Sequence, residues 1–384
     1  MSKGTILYIG GFELPDKNAA AHRVLNNAKI LRDLGYNVVF IDIDRSVKSS
    51  SSEQKSKTTQ GFDCWSRKYP KSIPEWFSYL YSIKHFKEIS SKYNNIKAVI
   101  CYNYQSYALL KLMNYCRKRD IKVIADCSEW YEDKRIIKRI DTTIRMNYIH
   151  KKIDGVICIS SYLFKYYNKY TKTVIIPPLV DLQEAKWTEN TDRLQLGPDS
   201  LHLVYSGTPG KHKDKLNYII KALSNVNQKY TYSFSVIGIT KQQYLDYYPA
   251  HSSIIEKLDH CIKFLGRISH EDSLKYVKDA DFVVFVREDK RVNNAGFPTK
   301  FVESITSGTP VITTKISDLD DYIIEGENGF FVNLNGNITL TLEMILQIDR
   351  EKINYMKALC KDENPFIYQK HTGKLTDFLG QIGI

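Results

Sequence analysis

No run of about 18 or more apolar residues occurs in this chain, so the sequence offers no transmembrane helix. The first eleven residues carry one lysine and a short apolar stretch closing on Gly10-Gly11. That is the pattern of a first β-strand, not of a secretory leader. The seven cysteines are odd in number and scattered, and no two stand as Cys-x-x-Cys. This argues against a zinc site and for reduced thiols in a cytosolic protein. No G-x-G-x-x-G follows the first strand, which weighs against an NAD-type fingerprint. No short-period repeat is visible either, and the two halves correspond only at the level of fold.

What is present points to two domains. The chain has 384 residues with 43% hydrophobic content, too long for one ordinary domain and apolar enough for real cores. Short β-branched and apolar runs alternate with helix-length apolar periodicity. They predict strands at 5–9, 38–42, 98–102, 122–125, 155–159 and 173–176. In the second half strands are expected at 202–206, 232–237, 262–265, 282–286, 310–313 and 329–332. Such alternation means an α/β protein with doubly wound parallel sheets. Pro, Asp, Glu and Gln replace the periodic pattern around 181–200, which divides a lobe at 1–180 from a lobe at 201–364. Residues 365–384 read as a helical tail, and Arg45–Gln60, rich in Ser, Lys and Gln, as a mobile loop.

Charge is uneven. Residues 1–180 hold 31 Lys+Arg against 16 Asp+Glu, a net of +15, and the remainder nets −3. The basic half suits anionic lipid headgroups or a polyanion; the alternative is a generally Lys-rich surface. Two stretches, Trp65–Tyr93 and Trp130–Lys152, mix aromatic or aliphatic residues with Lys and Arg. Each reads either as an interfacial membrane helix or as a core-packing helix with a basic outer face.

The most informative stretch runs Asn293-Asn294-Ala295-Gly296-Phe297-Pro298-Thr299-Lys300-Phe301-Val302-Glu303, then Ser307-Gly308-Thr309-Pro310-Val311-Ile312. It reads as a tight glycine turn, a short helix opened by Pro298, and a Gly-Thr-Pro break into a buried strand. Proline suits a helix start, and the free N–H groups there attract anions. Glu303 lies one turn further, on the face of Thr299. A helix N-terminus for phosphates with a nearby carboxylate for a sugar diol is a nucleotide-sugar site.

This arrangement resembles the donor-binding element of glycosyltransferase family 4, the retaining GT-B enzymes, and the order of elements resembles that family from end to end. The resemblance implies two Rossmann-like lobes facing across a cleft, the first for the acceptor and the second for the donor. Leu203–Lys213 is similar to the family's strand–Gly–loop–Lys segment. Gly207 and Lys213 keep their places, while Thr208 stands where the family has Arg. Of the family's two glutamates seven apart, only one is kept. Glu303, for the ribose, is present, but Ala295 replaces the glutamate that reaches a sugar hydroxyl. Asn294 is the substitute sugar contact. Gly296, Phe297 and Pro298 bring backbone close to the donor, Thr299 adds a hydroxyl, and Lys300 is a phosphate ligand or a solvent-facing residue. Gly238, Arg267 and Ile268 sit at further strand exits, the last two where the family holds the nucleobase. In the first lobe Gly10, Gly11, Asn18 and Ala19 resemble the phosphate-facing loop; His22 contacts substrate or is structural. Arg287, just past a parallel strand, offers a fork for phosphate oxygens. Asp126 and Glu129 are the acid/base candidates, or else a helix cap and an early-turn acid.

The expected activity is retaining transfer of a sugar from a nucleoside diphosphate to a glycan or lipid-linked glycan, in bacterial surface-polysaccharide synthesis. Lys213 and Arg287 would stabilise the departing diphosphate, and no metal or other cofactor is expected. Asp42-Ile43-Asp44 has the D-x-D form but ends a strand in the other lobe. The expected setting is cytoplasmic and peripheral to the inner membrane, with no nucleic-acid partner. A GT-B epimerase and a non-catalytic polyanion-binding or partner protein are the alternatives.

Overall fold

The computed structural model describes residues 2–15, 17–45, 56–130, 132, 135–188, 200–209 and 213–384. Most of the expected linker, and Gly210–His212 of the Gly–loop–Lys segment, lie outside the described residues. The chain forms two compact units. The first is Met1–Asp181 with Ala295–Phe297 and Phe366–Ile384; the second is Leu182–Asn294 with Pro298–Pro365.

The first unit is built on eight strands: β1 (Thr5–Ile9), β2 (Asn37–Asp44), β3 (Ser56–Thr59), β4 (Phe62–Lys68), β5 (Ile96–Tyr102), β6 (Lys122–Cys127), β7 (Gly155–Cys158) and β8 (Lys172–Ile175). Their order is β3-β4-β2-β1-β5-β6-β7-β8. Every pairing is parallel except β3 with β4. Strand β1 is buried along its whole length, as a parallel strand covered on both faces must be. Residues 46–55 of the loop expected at 45–60 lie outside the described residues, and its end is corrected here. Its end pairs as β3 with β4, which the sequence reading missed, through a turn in which Gln60 and Gly61 both have positive φ. Two residues of that kind suit the twist of a hairpin. Strand β4 also takes Trp65–Lys68 out of the stretch read as helical.

The C-terminal helix Thr372–Gln381 buries Leu375, Phe378 and Leu379 in the core shared by Ile6, Tyr8 and Ile157. Val180 donates its N–H to the Phe366 carbonyl at 2.9 Å, and Tyr368 donates back to Val180 at 3.0 Å. Residues 366–384 are therefore an integral layer of the first unit rather than a tail beyond the second.

The second unit carries an all-parallel sheet: β9 (Leu201–Ser206), β10 (Tyr232–Ile237), β11 (Ile262–Gly266), β12 (Phe282–Phe285), β13 (Val311–Thr313) and β14 (Gly329–Phe331). The order is β11-β10-β9-β12-β13-β14. Strand order reverses between β9 and β12, so the loops leaving these two strands diverge. A crevice outside the carboxyl ends at such a switch is where α/β sheets take ligands.

Candidate active site

Three neighbouring strands of the second unit end on glycines with positive φ: Gly207 (+134°), Gly238 (+98°) and Gly266 (+63°). The exits are laced by backbone bonds, Gly207 to Ile237 at 3.1 Å and Gly238 to Gly266 at 2.7 Å. A Cβ at 238 would stand 2.2 Å from the Gly207 carbonyl oxygen, so only glycine lets these two exits pass. A Cβ at 207 would stand 2.6 Å from Cε and Nζ of Lys300, so the bare backbone makes room for that lysine.

Lys300 comes from the helix Thr299–Thr306, whose preceding residue is Pro298 and whose start has no side-chain cap. Its Nζ lies over the Tyr205 ring, 5.3 Å from the centroid, and 2.9 Å from Asp214 Oδ2. Arg287, leaving β12, donates Nε to Asp214 Oδ1 at 2.5 Å, and Tyr205 donates its hydroxyl to Oδ2 at 2.7 Å. Lys215 N donates to the Val286 carbonyl at 2.8 Å, tying the loop after β9 to the exit of β12. Asp214, from the loop after β9, thus sits at the switch point and holds two cations from the segment that follows β12. Burial would raise its pKa, but the charges of Lys300 and Arg287 override this and hold it well below the carboxylate range. Burial lowers the Lys300 ammonium below its ordinary value; Asp214 opposes that shift and Arg287 adds to it. Lys213 is exposed, and its charge is felt at Lys300.

Asp214 was not foreseen. It lies in Lys213-Asp214-Lys215, which reads as an ordinary charged loop, and only the sheet order brings it against Arg287 and Lys300. His270 was also missed: its Nε2 lies 3.3 Å from Glu303 Oε1. It opens the helix His270–Asp279, capped by Ser269, just past Arg267 and Ile268. Thr208 and Arg267 are exposed at their strand exits, Ile268 and Thr299 half-buried.

Other expected contacts are placed differently. The amide of Asn294 is engaged at both ends, donating to Asp289 at 2.6 Å and accepting from Ser317 N at 2.9 Å. It shapes protein loops rather than offering a sugar contact. Ala295, Gly296 and Phe297 are buried and belong to the first unit. There Ser160 donates to the Ala295 carbonyl at 2.9 Å, and the Phe297 ring packs edge-on against Phe366. Phe297 is a core aromatic of the first unit, 7% exposed.

In the first unit, Asp126 is fully buried. Its Oδ1 accepts from Arg23 Nε at 2.8 Å and lies 2.7 Å from Arg23 Nη2, and its Oδ2 accepts from the Tyr8 hydroxyl at 2.5 Å. Asn27 adds a donor at 3.5 Å. With both oxygens engaged and no path to solvent, Asp126 is a structural counter-ion and not the expected acid/base group. Arg23 also binds the Ile176 carbonyl at 2.8 Å, so the pair ties the helix Ala19–Asp33 to the ends of β6 and β8. Glu129 is half-buried beside Tyr102. Gly10 is packed where a Cβ would stand 2.7 Å from the Tyr102 carbonyl, and Gly11 is exposed. Asn18 spends its side chain capping the helix at Ala21 N, 3.0 Å away, and Ala19 is exposed behind it. Asp42 accepts from the amides of Phe12, Glu13 and Leu14, which shapes the loop after β1. Among the described residues no group of three or more His, Cys, Asp or Glu is placed to hold a metal ion.

Comparison with known proteins agrees with this geometry. A sequence comparison with curated proteins gives no match. Among solved structures, the sucrose-phosphate synthase of Thermosynechococcus elongatus has a TM-score of 0.72 at 15% identity, covering 99% of both chains. HepE of Anabaena in complex with UDP has 0.68 at 13%, covering 98% of this chain and 99% of that one. The lipopolysaccharide outer core galactosyltransferase WaaB has 0.66 at 12%, with the same coverage. At these identities the likeness is one of fold, and the fold is GT-B. Residues 200–348 match the model of glycosyl transferases group 1. That span holds Gly207, Gly238 and Gly266 and the Asp214 cluster. Residues 200–348 are thus similar to the glycosyl transferases group 1 family, and the chain that carries them has the GT-B fold.

Proposed function

We propose that this protein is a retaining glycosyltransferase. It moves a sugar from a nucleoside-diphosphate sugar to a glycan or lipid-linked glycan in bacterial surface-polysaccharide synthesis. It works without a metal, on the cytoplasmic face of the inner membrane. The observation that carries the reading is the gathering of Lys300 and Arg287 on Asp214, beside the Gly207–Gly238 exits, within the group 1 domain. Glycine exits let a diphosphate approach the backbone, and two positioned cations with an uncapped helix start stabilise its growing charge. Lys213 adds a third charge, and Glu303 with His270 offers polar groups for the ribose. In same-face substitution the bond from the anomeric carbon to the diphosphate oxygen breaks and the bond to the acceptor oxygen forms. The acceptor proton passes to the departing phosphate oxygen, so no strong general base is needed; Glu129 is the remaining acid/base candidate. UDP bound in the HepE structure and the lipopolysaccharide outer core role of the galactosyltransferase WaaB support the donor class and the pathway type.

The test is thermal stabilisation across UDP, GDP, dTDP and CMP, with EDTA and then with Mg²⁺. A ligand at 100 times its Kd adds about 2.7 kcal/mol. The expected outcome is selective stabilisation by one nucleoside diphosphate, unchanged by EDTA. Stabilisation by none of them would sink the donor-site reading.

A further inference from the structure

Two helices of the first unit turn their apolar stripes outward. In the helix Ile136–Ile144 the only buried residue is Thr142. Ile136, Ile137 and Ile140 are 63%, 78% and 52% exposed. With Ile144 they span an arc of roughly 100° on the helix surface, on the side opposite Thr142. The helix Ile73–Tyr81 buries no residue at all, and Ile73 and Phe77 are 86% and 64% exposed. An amphipathic helix ordinarily spends its apolar stripe on the core, so the helix Ile136–Ile144 is inverted, and the helix Ile73–Tyr81 carries an outward apolar face besides its half-buried Trp76, Tyr79 and Leu80.

The two stripes are linked. Tyr81 stacks on Phe77 at 4.4 Å and meets Tyr107 at 5.0 Å. Ser106, next to Tyr107, binds Asp141 of the other helix through its N–H at 2.9 Å and its hydroxyl at 2.7 Å. The charge around this surface is basic. Lys111 lies over the Tyr107 ring at 4.7 Å and donates to the Tyr81 carbonyl. Arg139 borders the isoleucine stripe, and Lys71 and Lys84 flank the ends of the first helix; all three are exposed. The nearby carboxylates are engaged within the protein: Glu75 with Lys68, Asp141 with Ser106, and Glu88 with Lys84 itself at 3.8 Å, which leaves Lys71, Lys111 and Arg139 as the border's cations. Aliphatic and tyrosine side chains bordered by cations match a bilayer boundary with anionic headgroups, whereas a protein interface depletes lysine.

We propose that this face, formed by the helices Ile73–Tyr81 and Ile136–Ile144 with Tyr107 between them, docks on an anionic lipid bilayer. It gives the peripheral location suggested above a definite surface. It rests on that location and not on sugar transfer, so lipid binding and nucleotide binding are read separately.

The experiment is flotation of the full chain with phosphatidylcholine vesicles and with phosphatidylcholine–phosphatidylglycerol vesicles. It compares the wild type, the double variant I137E/I140E, and I324E, which alters an exposed isoleucine of the second unit. The wild type is expected to float with the anionic vesicles and to be released by salt. I137E/I140E should bind about tenfold more weakly per isoleucine, with I324E unchanged. Because both positions are exposed, the double variant should keep the wild-type melting temperature and nucleotide response. Overturning results are no flotation of the wild type, flotation indifferent to anionic lipid, or equal flotation of I137E/I140E. A wild-type dimer that I137E/I140E converts to monomer, without lipid binding, would assign the face to a second copy instead.

Discussion

Asp214 contributes no contact that a sequence motif would flag, yet it positions two of the three cations assigned to the donor diphosphate. Its carboxylate lies within 2.9 Å of Lys300, Arg287 and Tyr205 at once. Replacing it by Asn removes the counter-charge and leaves two buried cations facing each other. We expect D214N to lose about 3 kcal/mol of stability, read from urea unfolding, and to weaken nucleoside-diphosphate binding. The pH dependence has a definite sign. The folded pKa lies below the unfolded value of about 3.9, so the stabilisation is complete above that value. It is lost as pH falls through the folded pKa. The stability gap between wild type and D214N should therefore be constant above about pH 5 and shrink below about pH 4. A gap that widens in acid would contradict the ion-pair account.

At the scale of elements, the glycine exits of β9, β10 and β11 set the shape of the candidate site. Gly238 has φ +98°, and any Cβ there meets the Gly207 carbonyl at 2.2 Å. The neighbour is backbone, which has no rotamer to yield. G238A should cost about 2 kcal/mol or more and displace Gly207, with Lys300 packed against it. Unfolding midpoint and nucleotide affinity should fall together in this variant. Gly326, also at positive φ but with nothing within 4 Å, is the control: its alanine variant carries only backbone strain and should leave nucleotide affinity intact.

At the scale of the molecule, the chain returns to its first unit at both Ala295–Phe297 and Phe366–Ile384. Phe378 is buried against the core beneath β7, where a Cβ on Gly155 would stand 2.6 Å from its ring. F378A should cost about 3–5 kcal/mol, and the loss should fall on the first unit. Calorimetry is expected to show a lowered first-unit transition, while the nucleotide-stabilised transition of the second unit persists. A uniform drop of one cooperative transition would show that the units do not unfold separately.

Among the described residues, twelve of the fourteen strands were legible in the sequence, because a parallel strand covered on both faces must be a short apolar run between turn signals. The helix after Pro298 and the glycine strand exits were legible for the same kind of reason: proline and glycine declare their backbone needs locally. Strands β3 and β4 were not, since the Ser, Lys and Thr of β3 read as loop and the Trp, Arg and Lys of β4 are side chains shared with helical surfaces. Roles that depend on a partner far away in sequence were decided only by packing. Asp126 reads as a free acid until Arg23, 103 residues away, closes on it. Asn294 reads as a sugar ligand until Ser317 and Asp289 take its amide. Asp214 reads as a loop charge until the reversal of strand order sets Arg287 and Lys300 against it. Local propensity is written residue by residue, whereas the electrostatics of a buried group is the sum over neighbours that only the tertiary fold selects.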